Sequence, residues 1–387
     1  MTTPRLPILF NLGFRPFFLL ATGFAVGAIA LWMMIWHGLL VLQGPFSPTD
    51  WHIHEMLFAY SSAVIAGFLL TAIPNWTGGV PIKGWALAFL VILWVAGRIA
   101  VLGATGLSAG WIMAIDSSFL AVLCIVTAYQ LIASHNWRNL IVIALIFLLL
   151  ASNMAFHYEA VTFGTTDYSR RAGMAVLTLL IMLIGGRVIP SFTRNWLLKQ
   201  KITPLPAPFD RFDATSLGIA AIALGLWVFK GPLMLTAIVL SIAAAAHLVR
   251  TLRWQGFRAR RSAILLMLHV SYLCLPAGFA LLALSLIRSD VSSAAGLHVL
   301  GMGAVGGMTT AVMLRASLGH TGRALAAGPT LSLAFTLVLI ASLVRALVPN
   351  IALAGVSGVQ ISALLWMAGF TLICTRIWPW FLAPRVD

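Results

Sequence analysis

Charge is scarce in this chain, and acid scarcer still: 9% of its 387 residues are charged, and only nine are Asp or Glu. A soluble domain carries about 25% charged residues, so the deficit excludes a water-facing globule and makes lipid the solvent. Cysteine is also rare. Cys124, Cys274 and Cys374 each fall inside an apolar run and show no CxxC spacing. That excludes a disulfide framework or zinc ribbon and leaves three small buried hydrophobes. Long polar stretches are missing too: residues 191–213 and 253–261, the longest between apolar runs, leave no room for a soluble domain. No cleavable leader is expected, because the run Phe17–Leu42 is too long for a signal-peptide core and lacks a small-residue cleavage site.

What is present is apolar sequence, 61% of the chain, with a mean hydropathy of +1.01. It is cut into runs of roughly 20 residues, the length that spans a hydrocarbon core. Twelve spans are expected, at about 17–41, 51–73, 85–103, 110–132, 139–158, 171–190, 214–229, 232–252, 262–287, 294–314, 326–348 and 352–377. The expected fold is an all-α polytopic membrane protein, residues 1–387 forming a single integral-membrane domain. Pro74, Pro190 and Pro349 suit the ends of spans, and Pro16 the first turn of the opening helix.

The net charge of +15 would suggest nucleic acid in a soluble protein. Here the basic residues stand in short loops on alternate sides, as the positive-inside rule requires. With both termini cytoplasmic, seventeen of the twenty-four basic residues, Arg5 and Arg15 among them, face the cytoplasm. The expected partner is therefore the bilayer, with no nucleic acid. A faint repeat accompanies this layout: "AIPNWTGG", "VIPSFTRNW" and "RASLGHTGR" lie four spans apart, and His54 to Thr77 matches His298 to Thr321 in length. Three four-helix units with pseudo-threefold arrangement would follow, near 13–135, 136–255 and 256–380.

Ionisable groups inside lipid are costly, so they mark function or interhelical pairing. In the expected topology His37, His52, His54, His157 and His298 share the outer third, while His247, His269 and His320 lie toward the cytoplasm. A single histidine there is more often a cap or an interhelical hydrogen bond. Five from four helices at one depth can equally be a metal or haem site, since imidazole suits haem iron, copper and zinc. In "WHIHEM" (51–56), helical geometry turns His52 and His54 about 200° apart and puts Glu55 on the face of His52. Glu55 could orient that ring or simply favour the helix start. Glu55, Asp116 and Glu159 are the acids near spans that could handle protons. The glycines of the tenth span, Gly296, Gly301, Gly303, Gly306 and Gly307, suit close helix packing and would also admit a flat ring below His298. Arg187, Arg194, Arg315 and Arg323 suit anchoring at the membrane surface, or pairing with a carboxylate such as a haem propionate.

Several long motifs carry a resemblance: "GFRPFF" (13–18), "WHIHEM" (51–56), "AGFLLTAIPNWTG" (66–78), "GGRVIPSFTRN" (185–195), "LHVSYLCL" (268–275) and "GMTTAVMLRASLGHTGR" (307–323). They resemble the NnrS family of bacterial membrane proteins linked to nitric oxide and nitrosative stress. The resemblance implies a multi-pass protein of the bacterial inner membrane that contains haem, of b type, and copper. It does not settle the ligands. By analogy with haem–copper oxidases and their nitric oxide reductase relatives, which share twelve spans, His54 or His52 with His298 would hold haem. The copper triad of that superfamily is missing from its places. His52, His157 and His37 remain as outer copper ligands, and His269 with His320 as a separate inner site. The implied function is reduction or other consumption of nitric oxide at the haem, with quinol as a candidate electron donor. Non-catalytic sensing or buffering, or transport of a metal or nitrogen oxide, are the alternatives.

Overall fold

A computed structural model describes residues 7–386; Arg5, counted above for orientation, lies outside them. Among the described residues twelve long helices follow one another: α1 Phe14–Trp36, α2 Pro48–Thr77, α3 Trp85–Val101, α4 Ala109–Ala133, α5 Leu140–Phe163, α6 Asp167–Lys199, α7 Arg211–Val228, α8 Leu233–Leu252, α9 Ala263–Ile287, α10 Ser293–His320, α11 Gly328–Leu347 and α12 Gly358–Leu382. Eleven are long and apolar enough to cross a membrane, and the twelfth, α3, is apolar and 17 residues long. Helices dominate because lipid offers no partner for a free backbone N–H or C=O. The one sheet among the described residues is a two-strand hairpin, β1 Ala352–Leu353 and β2 Val356–Ser357.

The helices match the twelve expected spans one for one, with corrections at their ends. α1 stops at Trp36 because Gly38 takes a left-handed conformation, and residues 39–47 form a loop. Pro74 and Pro190 do not end their helices: both lie inside, in α2 and α6. A helix can pass a proline when the C=O one turn earlier finds other company. At Gly186, four residues before Pro190, a side chain would collide with the guanidinium of Arg250. Since α6 runs on to Lys199, the loop expected at 191–213 shrinks to about 200–210.

The chain divides into two compact units. Unit one contains the residues through Val176, joined by Gly319–Arg323 and the last stretch from Ile373; unit two contains Leu177–Leu318 and Ala324–Leu372. In unit one α1 packs on α2, α2 on α4, α3 on α4 and α4 on α5. In unit two the sequence of contacts is α7 on α8, α8 on α9, α9 on α10 and α10 on α11.

One helix in each unit contains a segment of wider, π-helical turn directly after a histidine. In α2 it spans Glu55–Tyr60 after His54, and in α10 Val299–Gly306 after His298. Such turns are rare and frequent at functional sites. The freed carbonyls find donors: Ala59 accepts from Trp94 Nε1 at 3.1 Å and from the Ser62 hydroxyl at 3.1 Å. Ser61 reaches back five residues to Met56 at 3.0 Å. In α10 the hydroxyl of Ser342 donates to the His298 carbonyl at 3.3 Å.

Candidate metal centre

The start of α2 is built to be held in place. Ser47 caps it, accepting from the Asp50 backbone at 3.2 Å, with Pro48 in the first turn. Asp50 then accepts from the Ser47 hydroxyl at 2.7 Å and from Thr166 at 2.6 Å. Capping of this kind contributes about 1 kcal/mol. It fixes the turn carrying His54, whose ring is fully buried under Phe46, Phe58 and Phe156 at centroid distances of 4.7, 5.4 and 5.4 Å.

Inside that aromatic cover three side chains converge. Asp116 on α4 and His157 on α5 are 3% and 2% exposed. The Asp116 Oδ2 atom lies 3.2 Å from His54 Nε2, 3.0 Å from His157 Nε2 and 2.8 Å from Asn153 Nδ2, which donates to it. Asn153 turns its own Oδ1 to His54 Nε2 at 2.9 Å. On the ring's other edge, His54 Nδ1 meets Glu55 Oε1 at 2.9 Å. Arg98, in the last turn of apolar α3, donates to both Glu55 and Asp116 Oδ1. Gly97 lets α3 approach: a Cβ there would stand 3.1 Å from Asp116 Oδ1.

The ligand atoms of His54, Asp116 and His157 all lie within 4.8 Å of one another. Adjacent ligands on an ion with bonds of about 2.1 Å are about 3 Å apart, the spacing found along both Asp116 edges. Two imidazoles and a carboxylate suit copper or another first-row ion, and His157 Nδ1 is buried with no hydrogen-bond partner. Glu55 on the far nitrogen of His54 reproduces the carboxylate–histidine support common to metal ligands. A transition ion fits.

The other expected site residues are spread more widely. Glu55 faces His54 rather than the expected His52. Neighbours in a regular helix do not face each other, but the wide turn beginning at Glu55 changes that spacing. His52 stacks on Trp32 at 4.8 Å, and His37 is exposed at the end of α1. Glu159 is occupied by the Ser169 N–H and hydroxyl at 3.2 and 2.8 Å, tying α5 to α6. His320 lies 5.4 Å from Phe14 in unit one, and Arg323 stacks over Trp380 at 4.8 Å.

In unit two His269 Nε2 meets Thr193 Oγ1 at 2.9 Å while Nδ1 is buried and unpartnered. Arg315 lies over Phe192, Arg194 is exposed and Arg187 half-buried. His298 is half-buried and donates from Nδ1 to the Ala294 carbonyl at 2.7 Å, which leaves the Nε2 lone pair available. The α10 glycines are packing contacts. A Cβ at Gly303 would meet Cys274 at 2.8 Å, at Gly306 Trp366 at 2.7 Å and at Gly296 Leu282 at 2.9 Å.

Arg98 and Asn153 were not anticipated as site residues. An arginine flanked by apolar residues in "LVILWVAGRIAV" was the available signal, since a cation within a span calls for a buried acid. Asn153, one turn before His157 in an apolar helix, was a second. A search of curated proteins finds no match to the chain. The NnrS protein family, however, matches it over residues 8–385, and the chain belongs to that family.

Proposed function

We propose that this chain is a multi-pass protein of the bacterial inner membrane that binds copper and haem and consumes nitric oxide within the bilayer. One observation carries the metal reading: two imidazoles and a carboxylate from three helices converge in a buried, aromatic-covered site. Family membership contributes copper, haem and the nitric oxide response. In this reading His54, Asp116 and His157 hold the copper ion, Glu55 orients His54, and Arg98 holds Glu55 and Asp116 in register.

For haem, His298 fits better than His54. Its Nδ1 is pinned to a helix carbonyl and its Nε2 is open, whereas both nitrogens of His54 already face oxygen acceptors. Iron in haem, when bound, supplies coordination of nitric oxide and storage of an electron. The protein supplies an apolar route, because nitric oxide is small and partitions into lipid, and a site from which bulk water is excluded. Quinol in the same membrane is the proposed electron source.

Purified protein in mild detergent tests this. Metal analysis is expected to find copper in the wild type and to lose it in His157→Ala and Asp116→Asn. The reduced-minus-oxidised haem spectrum is expected to change in His298→Ala. Nitric oxide loss with reduced quinol should exceed that of free haem. Full copper retention in both variants sinks the metal reading. Binding of nitric oxide without turnover would replace consumption with sensing or buffering.

A further inference from the structure

Several transition ions would accept two imidazoles and a carboxylate; the charges behind those ligands are more selective. We propose that Arg98 makes this centre prefer a monovalent, imidazole-seeking ion over a divalent one. The inference rests on the cluster being a metal centre.

Two carboxylates, Glu55 and Asp116, stand in the cluster, and the Arg98 guanidinium forks between them. With ordinary charges the three sum to a single negative charge. Both carboxylates are buried, and the Arg98 side chain is only 11% exposed, so water screens little of that sum. The nearby acids are committed elsewhere, Asp50 to Ser47 and Thr166 and Glu159 to Ser169. Phe46, Phe58 and Phe156 cover the rest. An uncompensated charge in such surroundings is costly. A monovalent ion brings the cluster to neutrality, whereas a divalent ion leaves one positive charge among aromatic rings. Alkali ions take oxygen ligands, so the imidazoles restrict the monovalent class to the coinage metals.

Arg98 acts here without touching the ion. It occupies Oδ1 of Asp116 and leaves Oδ2 toward the two histidines. One carboxylate therefore separates guanidinium from ion, about 5 Å. At an effective dielectric constant near 20, one unit charge at that distance changes the monovalent-to-divalent preference by roughly 100-fold. Arg98 is thus a specificity-determining residue, and Glu55, on the opposite sign, should move the same preference the other way.

The experiment uses full-length protein in detergent with Cys124, Cys274 and Cys374 replaced by alanine, so that thiols take no silver. Ag⁺ and Zn²⁺, both redox-inert, serve as the monovalent and divalent probes in equilibrium dialysis with metal analysis. Arg98→Gln is expected to lower the Ag⁺/Zn²⁺ affinity ratio roughly 100-fold, Arg98→Lys to preserve it, and Glu55→Gln to raise it at least about tenfold. A ratio in Arg98→Gln within about threefold of the parent, while His157→Ala still abolishes binding, overturns the role of Arg98 and spares the metal centre. Equal binding in the parent and His157→Ala instead removes the centre itself. If Arg98→Gln does not fold, Glu55→Gln decides: no rise in its ratio overturns the proposal.

Discussion

Each unit buries a polar cluster of similar ingredients, and the two are wired differently. In unit two the contacts form a chain. Arg250 donates to Asp213 at 2.7 Å and to the Tyr272 hydroxyl at 2.7 Å; Tyr272 meets His247 Nδ1 at 3.0 Å; His247 Nε2 meets the Ser216 carbonyl at 3.3 Å. Since Tyr272 accepts from Arg250, its own proton goes to His247 Nδ1, leaving Nε2 to donate to Ser216. Each of these groups has a complementary partner, and such a network reads as interhelical glue. In unit one the contacts converge instead: three nitrogens crowd one oxygen of Asp116, and His157 Nδ1 has no hydrogen-bond partner. The lesson is that composition alone does not separate a structural network from an ion site. Convergence on one point, with a donor or acceptor left over, is the feature that points to an ion.

That distinction is easiest to break at the charges. Asp116→Ala would leave Arg98 without one of its two acids and remove a ligand; it should cost about 3–5 kcal/mol and eliminate the bound ion. Arg250→Met should cost a similar amount by stranding Asp213, yet leave the metal content unchanged. Adding Asp213→Leu to Arg250→Met should restore most of the loss, because a buried pair replaced by apolar residues is often neutral. Thermal denaturation in detergent with metal analysis checks all three. A metal loss in the unit-two variants would erase the contrast between the clusters. At the histidines the effects are smaller: His247→Phe leaves the Tyr272 hydroxyl proton without its acceptor while Arg250 still donates to the oxygen, costing about 1–3 kcal/mol with metal retained. His157→Ala should lose the metal.

How far the sequence led differs between fold and site. Twelve apolar runs announce twelve helices, because a helix satisfies its backbone internally and hydropathy records that. The ends are less legible: Pro74 and Pro190 suit boundaries by composition, yet α2 and α6 both run through them. In the site, His54 and His157 stood out as intramembrane histidines, and Asp116 as an acid within a span. Their meeting depends on helix rotation, which spacing alone does not fix. Assigning Glu55 to His52 assumed a regular helix through residue 55, and the wide turn there carries no composition signature. Arg98 was missed for a different reason. It stands near the end of an apolar run, where a cation passes for a membrane-surface anchor until the buried acids beside it are seen.

The smallest expected effect lies at the exposed edge of unit two, where the polar chain ends. Asp210 caps α7, accepting from the Phe212 and Asp213 backbone at 3.0 and 3.3 Å, and pairs with Arg253. The hydrogen bond from Arg253 is the main cause that lowers its carboxyl from 3.8 to about 2. A lowered native pKa means that the folded protein binds fewer protons than the unfolded chain between those values. The pair's contribution is therefore present above about pH 4 and fades as pH falls toward 2. Arg253→Gln should lower the thermal midpoint at pH 5 and by less at pH 3, the two midpoints converging as Asp210 takes up its proton. Because the pair is exposed, the gap at pH 5 should also shrink in high salt. The Arg250–Asp213 pair, being buried, should respond far less to salt. A gap independent of both pH and salt would show that Arg253 acts through its packing on Phe212, 4.9 Å from the ring centre, rather than through charge.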